Sequence, residues 1–332
     1  MKIFLDSKTI LITGGTGSFG NAFVTKILTD YPKIKKIIIY SRDEYKQFMM
    51  QQEPLIMANK DKIRFFIGDI RDAERMNMAC KGVDIVVHAA AMKQIVAAEY
   101  NPFECIKTNV LGAQNIVMAA IQNKVQKVVA LSTDKACAPV NLYGATKLCS
   151  DRLFLAGSAY VGTGKTTFSV VRYGNVAASR GSVIPFFANL IKNGAKTIPI
   201  THPDMTRFWL TLQDSVEMVL DCIEQSIGGE LFIKKIPSIK ITKLAKLMAP
   251  NLEQQIVGIR PGEKIHETLM TFEESRNAIE NDKYYIVLPN ILDNATYVEH
   301  YGNKQAKLFE YNSGDNEIID DKIISDFILN NI

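Results

Sequence analysis

A tyrosine and a lysine stand four residues apart in this chain of 332 residues, at Tyr143 and Lys147. On an α-helix, residues at positions i and i+4 share one face, so we expect the two side chains to lie together. A phenol with a pKa near 10 is a poor base at neutral pH. An ammonium group one turn away stabilises the phenolate and lowers that pKa, which suits general-base chemistry on a hydroxyl. An isolated pair of this spacing is also common on ordinary helix surfaces.

Three further reactive side chains, Thr133, Asp134 and Lys135, follow an apolar run shortly before this pair. Thr133 is expected to hydrogen-bond a substrate hydroxyl. A simple epimerase or reductase needs only a hydride and a proton at one carbon. A second acid and base beside the tyrosine therefore favours a further elimination step. A structural ion pair at the end of a strand is the alternative interpretation of Asp134 and Lys135.

Lys135 can act as a base only while its amine is neutral. Its pKa must therefore fall from about 10.4 through burial or through nearby positive charge. Lys93 and Lys147 are candidate sources of that charge, whereas Asp134 opposes the fall. The sequence leaves open which of these effects is larger.

A glycine-rich loop with the pattern G-x-x-G-x-x-G follows the first apolar run of the chain. In such a loop Gly14 permits a tight turn, Gly17 lets backbone N–H groups approach a pyrophosphate, and Gly20 allows close helix–strand packing. Its position between a strand and a helix that begins near Asn21 favours dinucleotide binding over a tight turn without a ligand. The residues of this loop predicted to contact the dinucleotide are Gly14, Thr16, Gly17, Ser18, Phe19 and Gly20.

The end of the second apolar run predicts which dinucleotide is bound. An acidic residue at this position selects NAD through the ribose 2′-hydroxyl, whereas a nearby arginine suits the 2′-phosphate of NADP. Ser41 and Arg42 come first here, which favours NADP. Asp43 and Glu44 leave NAD open, and both are also ordinary acids for a helix N-terminus. Further residues predicted to contact the cofactor are Lys46, Asp69, Ile70, Ala89, Ala91, Lys93, Thr108, Tyr143 and Lys147.

Short β-branched runs alternate with segments of helical spacing through the first part of the chain. The runs lie at residues 9–13, 36–40, 63–68, 84–89, 127–132 and 167–172. Runs of this length are typical of strands that are buried on both faces. Their alternation with helices predicts an α/β fold with a doubly wound parallel Rossmann sheet. Ligands of such sheets bind outside the carboxyl ends of the strands, where the reactive residues are found.

The alternation loosens after Asn175, and seven of the eleven prolines lie in the second half of the chain. Candidate helices there span residues 185–193, 212–225, 241–248 and 323–332. We therefore predict two domains. Residues 1–174 form an NADP-binding Rossmann domain, and residues 175–332 form a smaller α+β domain that binds the substrate, with some segments returning to the Rossmann domain.

Composition excludes several classes of protein. Hydrophobic residues make up 47% and charged residues 22%, which argues against a disordered or collagen-like chain. The net charge of +4 is too small for a dedicated nucleic-acid binder. No apolar run approaches the roughly 18 residues of a membrane span. The five cysteines are scattered without a C-x-x-C pair, which is typical of a reducing compartment. We expect a cytoplasmic protein with neither nucleic-acid nor membrane partners.

Metal binding is not expected. His266 and Glu267 begin the zinc motif H-E-x-x-H, but Met270 stands where the second histidine would be.

The glycine loop, Thr133 and the Tyr143–Lys147 pair together resemble the extended short-chain dehydrogenases/reductases, and the resemblance spans nearly the whole chain. Within them, the chain resembles the inverting UDP-N-acetylglucosamine 4,6-dehydratases that open pseudaminic acid biosynthesis. The matching stretches are residues 13–20, 40–44, 65–72, 98–108, 131–135, 141–150, 169–175, 205–209 and 258–266.

This resemblance implies a division of the chemistry. Tyr143 would take the C4 hydroxyl proton while hydride passes from C4 to a tightly bound NADP. Lys135 would remove the C5 proton, and Asp134 would protonate the departing C6 hydroxyl. Hydride return to C6 and reprotonation of C5 from the opposite face would give UDP-2-acetamido-2,6-dideoxy-β-L-arabino-hex-4-ulose. Because the cofactor is regenerated in each turnover, the enzyme would be a hydro-lyase.

The resemblance also implies contacts with the substrate UDP-N-acetylglucosamine. The residues it assigns to them are Lys93, Asn175, Val183, Pro185, Phe186, Phe187, Arg207, Arg260, Glu263 and Asn316. Forked guanidinium groups such as those of Arg207 and Arg260 suit a diphosphate. The chain departs from the family pattern at Gln94, where a histidine is common, and after Asn316, where apolar residues are usual. We also expect a homo-oligomer, either a dimer or a hexamer.

Three alternatives remain at this point. A C5-retaining 4,6-dehydratase and a UDP-hexose 4-epimerase use related machinery. Retaining relatives often carry methionine at the position of Tyr143 and a long membrane region, which counts against the first alternative. The third alternative is a catalytically silent NADP-binding sensor, which the complete set of reactive residues argues against.

Overall fold

A computed structural model describes residues 4–162, 164–179, 181–289 and 295–331. The strands in these ranges are β1 Thr9–Thr13, β2 Lys36–Ser41, β3 Ile63–Ile67, β4 Ile85–His88, β5 Lys127–Thr133, β6 Thr167–Tyr173, β7 Thr197–Ile200, β8 Thr206–Phe208, β9 Leu231–Lys234, β10 Ser238–Lys240, β11 Glu253–Ile256, β12 Thr268–Met270, β13 Ala278–Glu280, β14 Tyr284–Val287 and β15 Tyr311–Asn312. The first six coincide with the predicted apolar runs to within two residues.

The α-helices in the same ranges are α1 Ser18–Asp30, α2 Glu44–Gln51, α3 Pro54–Ala58, α4 Ala73–Ala79, α5 Ile95–Tyr100, α6 Pro102–Ile106, α7 Gly112–Gln122, α8 Leu142–Gly157, α9 Val183–Lys192, α10 Leu212–Gln225, α11 Ile241–Met248, α12 Phe272–Ser275, α13 Ala295–Tyr301 and α14 Asp321–Asn331. A π-helical turn at Lys107–Leu111 joins α6 to α7, and a 3-10 turn at Asp134–Ala136 follows β5. None of the helices that the structure describes has both the length and the apolar character needed to cross a membrane.

Nine strands form one sheet in the order β13-β14-β9-β6-β5-β4-β1-β2-β3. The seven strands from β3 to β9 pair in parallel, and β14 and β13 extend the sheet with antiparallel pairs. The strand order reverses at β1, which lies between β2 and β4. This switch point places the loops after β1 and β4 side by side at the carboxyl edge. The predicted doubly wound α/β fold is confirmed.

Alternate residues of each central strand enter two different hydrophobic cores. Ile10 and Ile12 of β1 belong to the core that includes α1 and α10, whereas Leu11 belongs to the core that includes α4 and α7. Successive side chains of a strand point to opposite faces of the sheet. A strand covered by helices on both faces must therefore be apolar throughout, as the sequence of β1 is.

The second half of the chain divides between the main sheet and a smaller layer. Strands β9, β13 and β14 complete the sheet. The smaller layer consists of the pairs β7–β11, β8–β10 and β12–β15 with α9, α11 and α14. Residues of β7, β10 and the three helices enclose two separate hydrophobic clusters, whereas Leu269, Met270 and Tyr311 of the β12–β15 pair pack into a core of the main sheet. Of the four predicted helices, those at 212–225 and 241–248 have the predicted bounds, and α9 and α14 begin two residues early. Residue 332 of the last predicted helix lies outside the described residues, and the boundary at residue 175 stays a prediction.

Candidate active site

The glycine loop forms a cradle between the ends of β1 and β4. Gly14 adopts a φ of +67°, and a Cβ atom there would lie 2.9 Å from the Cα of Ala90. Gly20 is equally constrained, because a Cβ would meet the carbonyl oxygen of Gly15. Helix α1 begins after Gly17 without a side-chain cap, so N–H groups of its first turn remain available to an anion. The cradle fits a dinucleotide pyrophosphate.

The charged residues at the end of β2 differ in their exposure and in the partners of their side chains. The Asp43 carboxylate accepts a hydrogen bond of 2.9 Å from the Lys46 N–H and pairs with the Lys46 ammonium at 2.9 Å. These contacts cap α2 and hold the pKa of Asp43 below its usual value. The Arg42 side chain is 63% exposed, with one Nη 3.6 Å from Asp69. The guanidinium is therefore largely exposed beside Asp69 and Asp43 is used by the helix, while Glu44 in the first turn of α2 is also exposed.

The predicted adenine and nicotinamide contacts lie along the same edge. Asp69 follows β3 and is held by the guanidinium of Arg71, while the Ile70 side chain is buried in the sheet core. Only the backbone of Ile70 is therefore open to a ligand. After β4, Ala89 is half-buried and Ala91 and Lys93 are exposed, whereas Thr108 is buried in the π-helical turn.

The sequence analysis missed Asn109, which fixes the loop after β4. Its carboxamide accepts a hydrogen bond from the Met92 N–H and donates one to the Met92 carbonyl, both at 2.9 Å. It also donates to the Thr146 hydroxyl on α8 at 3.0 Å. The only signal in the sequence is a polar residue within an apolar helical segment, and burial of that residue could not be predicted from spacing.

The Thr133–Asp134–Lys135 segment forms a compact polar cluster at the end of β5. Asp134 is fully buried, and its Oδ1 accepts a hydrogen bond of 2.8 Å from the Thr133 hydroxyl and one of 3.0 Å from Lys135 Nζ. Lys135 Nζ also donates to the side-chain oxygen of Asn175 at 3.3 Å. The structure thus brings together three predicted catalytic residues and one predicted substrate contact.

Tyr143 and Lys147 lie on the first two turns of α8, which Asn141 caps through the Gly144 N–H. Both side chains are buried, and Lys147 Nζ donates to the Leu131 carbonyl at 2.8 Å. Burial raises the pKa of Tyr143 to about 12 and outweighs the lowering by the Lys135 charge. Burial also lowers the pKa of Lys147. In the protein without ligands the phenol is therefore protonated, and Lys135 is the charge that most opposes this.

The protonation of Lys135 is decided by two carboxylates. Burial lowers its pKa, but the charges of Asp134 and Glu267 raise it, and the pKa lies above the usual value. Asp134 is the neighbour that the sequence identified as opposing a neutral amine. The sequence indicates Glu267 only as part of an incomplete zinc motif. It does not indicate Glu267 as a site residue, because Glu267 lies more than 130 positions from Lys135 along the chain.

A buried ion network lies behind α8. Asp151, one turn beyond Lys147, accepts a hydrogen bond of 2.6 Å from the Ser132 hydroxyl and pairs with Arg172 at 3.4 Å. Arg172 also pairs with Glu274 at 2.8 Å. These contacts attach α8 to β5, β6 and the start of α12, and so fix the helix that carries Tyr143.

The predicted diphosphate contacts come from the smaller layer. Arg207 lies on β8 with its Nε 3.7 Å from a Glu267 carboxylate oxygen. Arg260 is exposed, and its guanidinium lies 3.8 Å from the Glu263 carboxylate. The Gly262 carbonyl accepts a hydrogen bond of 2.9 Å from Asn141, which holds this loop against the N-terminus of α8. A shallow surface indentation between the loop and Lys135 is also lined by Asn141, Lys264 and Glu267.

Other predicted substrate contacts have structural partners. The Phe187 ring is 1% exposed and packs with Ile198, Ile200 and Met205, so it offers no surface to a sugar. The neighbouring Phe186 is 43% exposed, and Val183 and Pro185 are half-buried. The Asn316 side-chain amide donates to the Ile236 carbonyl at 2.7 Å and so holds the C-terminal segment. Among the described residues, no group of three His, Cys, Asp or Glu side chains could hold a metal ion.

Comparison with known proteins places the chain in a family. The family model described as "Polysaccharide biosynthesis protein" matches residues 10–289, which is most of the chain. The chain belongs to this family. A relative from Campylobacter jejuni, "UDP-N-acetylglucosamine 4,6-dehydratase (inverting)", is 53% identical over 320 residues, covering 94% of each chain. The resemblance seen in the sequence is thereby confirmed.

Two further relatives widen the comparison. A "UDP-glucose 4-epimerase" of Rickettsia felis is 43% identical over 336 residues, which cover 99% of this chain and 97% of the relative. The X-ray structure of Pen from Bacillus thuringiensis superposes with a TM-score of 0.89 at 38% identity and covers 98% of both chains. The family therefore includes relatives named for two different reactions on UDP-sugars.

Proposed function

We propose that this polysaccharide biosynthesis protein is an NADP-dependent UDP-N-acetylglucosamine 4,6-dehydratase that inverts C5 and acts first in pseudaminic acid biosynthesis. The observation that carries the proposal is the Asp134–Lys135 ion pair, with Nζ and Oδ1 3.0 Å apart, in the cluster that contains Thr133 and Asn175. An epimerase has no use for a second acid and base. The name of the Campylobacter jejuni relative supports the same activity.

The reaction begins at the C4 hydroxyl, which Thr133 and Tyr143 would contact. Tyr143 accepts the hydroxyl proton, and its pKa of about 12 in the protein without ligands must fall for this step. When bound, NADP supplies the hydride acceptor and donor and, in its oxidised form, a positive charge that lowers this pKa. It would be held by the glycine cradle, by Arg42 and Lys93, and by Tyr143 and Lys147 of α8.

The Asp134–Lys135 pair can supply both groups that the elimination needs. Transfer of one proton from Lys135 Nζ to the Asp134 oxygen 3.0 Å away gives a neutral amine and a protonated acid. The amine then takes the C5 proton, which a 4-keto group acidifies, while Asp134 protonates the C6 hydroxyl, which leaves as water. Both residues return to the ion pair, so the number of protons at the site is unchanged.

Overall the substrate loses water and the cofactor is unchanged, which makes the reaction that of a hydro-lyase. Arg207 and Arg260 would bind the diphosphate, because forked guanidinium groups match phosphate oxygens. After hydride returns to C6, a solvent proton adds to C5 from the face opposite Lys135 and inverts that centre, while Tyr143 releases to solvent the proton that it took from the C4 hydroxyl.

The choice of NADP leads to a testable expectation. Replacing the exposed Arg42 by alanine removes the guanidinium that would face the 2′-phosphate, while the Asp43 carboxylate remains tied to Lys46. We expect NADP to bind about tenfold more weakly or worse and NAD to bind almost unchanged, since a charge-assisted hydrogen bond contributes about 1.5–3 kcal/mol. Calorimetric titration of both dinucleotides measures this. Arg64→Ala is the matched control, because Arg64 is an exposed arginine at the start of β3, away from the end of β2. A loss of NAD affinity equal to the loss of NADP affinity would contradict the expectation.

The activity itself is tested by product analysis in deuterium oxide. Purified protein with UDP-N-acetylglucosamine is expected to give a 4-keto-6-deoxy sugar nucleotide with deuterium and inverted configuration at C5. Proton NMR coupling constants decide the configuration. Retention at C5 would overturn the inverting assignment.

The Rickettsia felis relative makes UDP-hexose 4-epimerisation the second candidate. The same NMR experiment separates the two, because an epimerase would give UDP-N-acetylgalactosamine with its C6 hydroxyl intact and no deuterium at C5. The epimer as the sole product would refute the proposed dehydratase activity.

A further inference from the structure

Glu267 is a buried acid that reaches the catalytic cluster from the smaller layer. It lies directly before β12 and is 3% exposed. Its backbone is held at two points, because its N–H donates to the Ser313 hydroxyl at 2.9 Å and its carbonyl accepts from the Ser313 N–H at 2.8 Å. The Ser313 hydroxyl is also 2.7 Å from that of Thr206. The position of Glu267 is therefore fixed independently of its side chain.

One oxygen of the Glu267 carboxylate faces two cations. Its Oε1 lies 3.5 Å from Lys135 Nζ and 3.7 Å from Arg207 Nε. The other oxygen, Oε2, is buried and has no hydrogen-bond partner among the described residues. Placing a charged carboxylate in such a setting is unfavourable unless its charge is used by nearby cations.

We propose that Glu267 is a positioning residue of the active site, whose carboxylate holds Lys135 toward the substrate and stabilises the ammonium that forms as Lys135 takes the C5 proton. This role rests on the proposed dehydratase activity. The elimination consumes a neutral amine and produces an ammonium, so a fixed negative charge beside Nζ favours the product side of that proton transfer. Asp134 is neutral until it gives up its proton in this step, so Glu267 supplies the negative charge that is present throughout the proton transfer.

The charges around Lys135 support this assignment. Asp134 and Glu267 raise its pKa and outweigh burial, while Arg207 lowers it. The titratable groups that face Lys135 from the surrounding elements are Asp134 on its own turn, Tyr143 on α8, Arg207 on β8, and Lys264 and Glu267 before β12. Removing the negative charge of Glu267 should therefore lower the pKa of Lys135, and removing Arg207 should raise it.

Trace acetylation with acetic anhydride over a range of pH tests this without reference to activity. The reagent attacks only neutral amines, and mass spectrometry of the Lys135 peptide gives the titration midpoint. In Glu267→Gln we expect the midpoint to fall by about one pH unit, since opposite charges 3.5 Å apart change proton affinity about tenfold even when water screens them. Glu280→Gln is the matched control. Glu280, like Glu267, faces two cations, but these are Lys235 and Lys304, away from the site. The substitution should leave the titration midpoint of Lys135 unchanged.

An unchanged midpoint in Glu267→Gln, or an equal shift in Glu280→Gln, would overturn the proposal. If Glu267→Gln does not fold, Arg207→Gln tests the same cluster, and a rise of the midpoint is then required.

The rate of dehydration provides the second measurement. In Glu267→Gln the fall of the elimination rate at alkaline pH, where the Asp134–Lys135 pair loses the proton that Asp134 donates, should begin at lower pH. The rate below that pH should fall about threefold to tenfold, since a weaker base removes a proton more slowly. Glu267→Asp keeps the charge and should keep the wild-type pH dependence. A protein that shows the acetylation shift but does not dehydrate the sugar would refute the proposed function and leave the electrostatic role of Glu267 standing.

Discussion

Replacing Lys135 by alanine is expected to stop water elimination while leaving dinucleotide binding intact. The amine is the proposed base for C5, and the glycine cradle that fits the dinucleotide lies on other loops. General-base catalysis contributes about 10²–10⁴-fold, so we expect dehydration to fall by on the order of 10³-fold. The C4 proton passes to Tyr143, so the nicotinamide should still be reduced in a single turnover and its absorbance should rise and persist. The rise should be slower than in the wild type, because the Lys135 charge that lowers the pKa of Tyr143 is lost.

Product NMR and stopped-flow absorbance measure the two parts of this expectation. Lys127→Ala is a suitable control, because Lys127 is a partly buried lysine at the other end of β5, where it donates to the Ile223 and Ser226 carbonyls. Thermal unfolding shows whether either variant loses stability, since Lys135→Ala leaves the buried Asp134 with only the Thr133 hydroxyl. Wild-type turnover in Lys135→Ala would remove this residue from the mechanism.

Replacing Tyr143 by phenylalanine is expected to abolish both steps. Without the phenol oxygen nothing in the proposed mechanism accepts the C4 proton, so no 4-keto group forms to acidify C5. We expect a loss of about 10³-fold or more in dehydration, together with loss of the absorbance rise that Lys135→Ala retains. The ring itself should stay in place, because it packs with Ala98 and Cys105.

The two variants together separate oxidation from elimination. Tyr31→Phe is the matched control, since Tyr31 is a buried tyrosine whose hydroxyl has no hydrogen-bond partner among the described residues.

The pH dependence of the rate of C4 oxidation has a defined sign. Burial raises the pKa of Tyr143 to about 12, so the phenolate fraction, and with it the rate of C4 oxidation, should increase as pH rises. A single-turnover rate that falls with pH would contradict Tyr143 as the base.

The architecture of this polysaccharide biosynthesis protein follows from local sequence patterns. Apolar runs such as those of β1 and β5 must be covered on both faces, which requires helices between parallel strands. The i, i+4 spacing of Tyr143 and Lys147 places both on one face of α8. The glycine spacing predicts the cradle because Gly14 adopts a positive φ in the turn and Gly20 lies too close to the Gly15 carbonyl for a side chain. These features depend on neighbours within a few residues, and the sequence was sufficient for them.

Side-chain orientation on a predicted element was less accessible. The resemblance assigned both Phe186 and Phe187 to the substrate, yet the Phe186 ring is exposed and the Phe187 ring is buried against Ile198 and Ile200 of β7. Which side of α9 faces the smaller layer depends on the packing of distant strands. In the same way, Asn109 fixes the loop after β4 only because this loop and helix α8 both lie next to its carboxamide.

The sequence by itself determined the fold and the position of the glycine loop, because these follow from periodicity and from local spacing, and it supplied the candidate reactive residues as predictions. Only the tertiary structure decided the protonation of Lys135. Its charge depends on Glu267 and Arg207, which come from separate segments after residue 200 and converge within 4 Å of one another. Electrostatic interaction depends on distance in space, and the fold alone makes residues 135 and 267 neighbours.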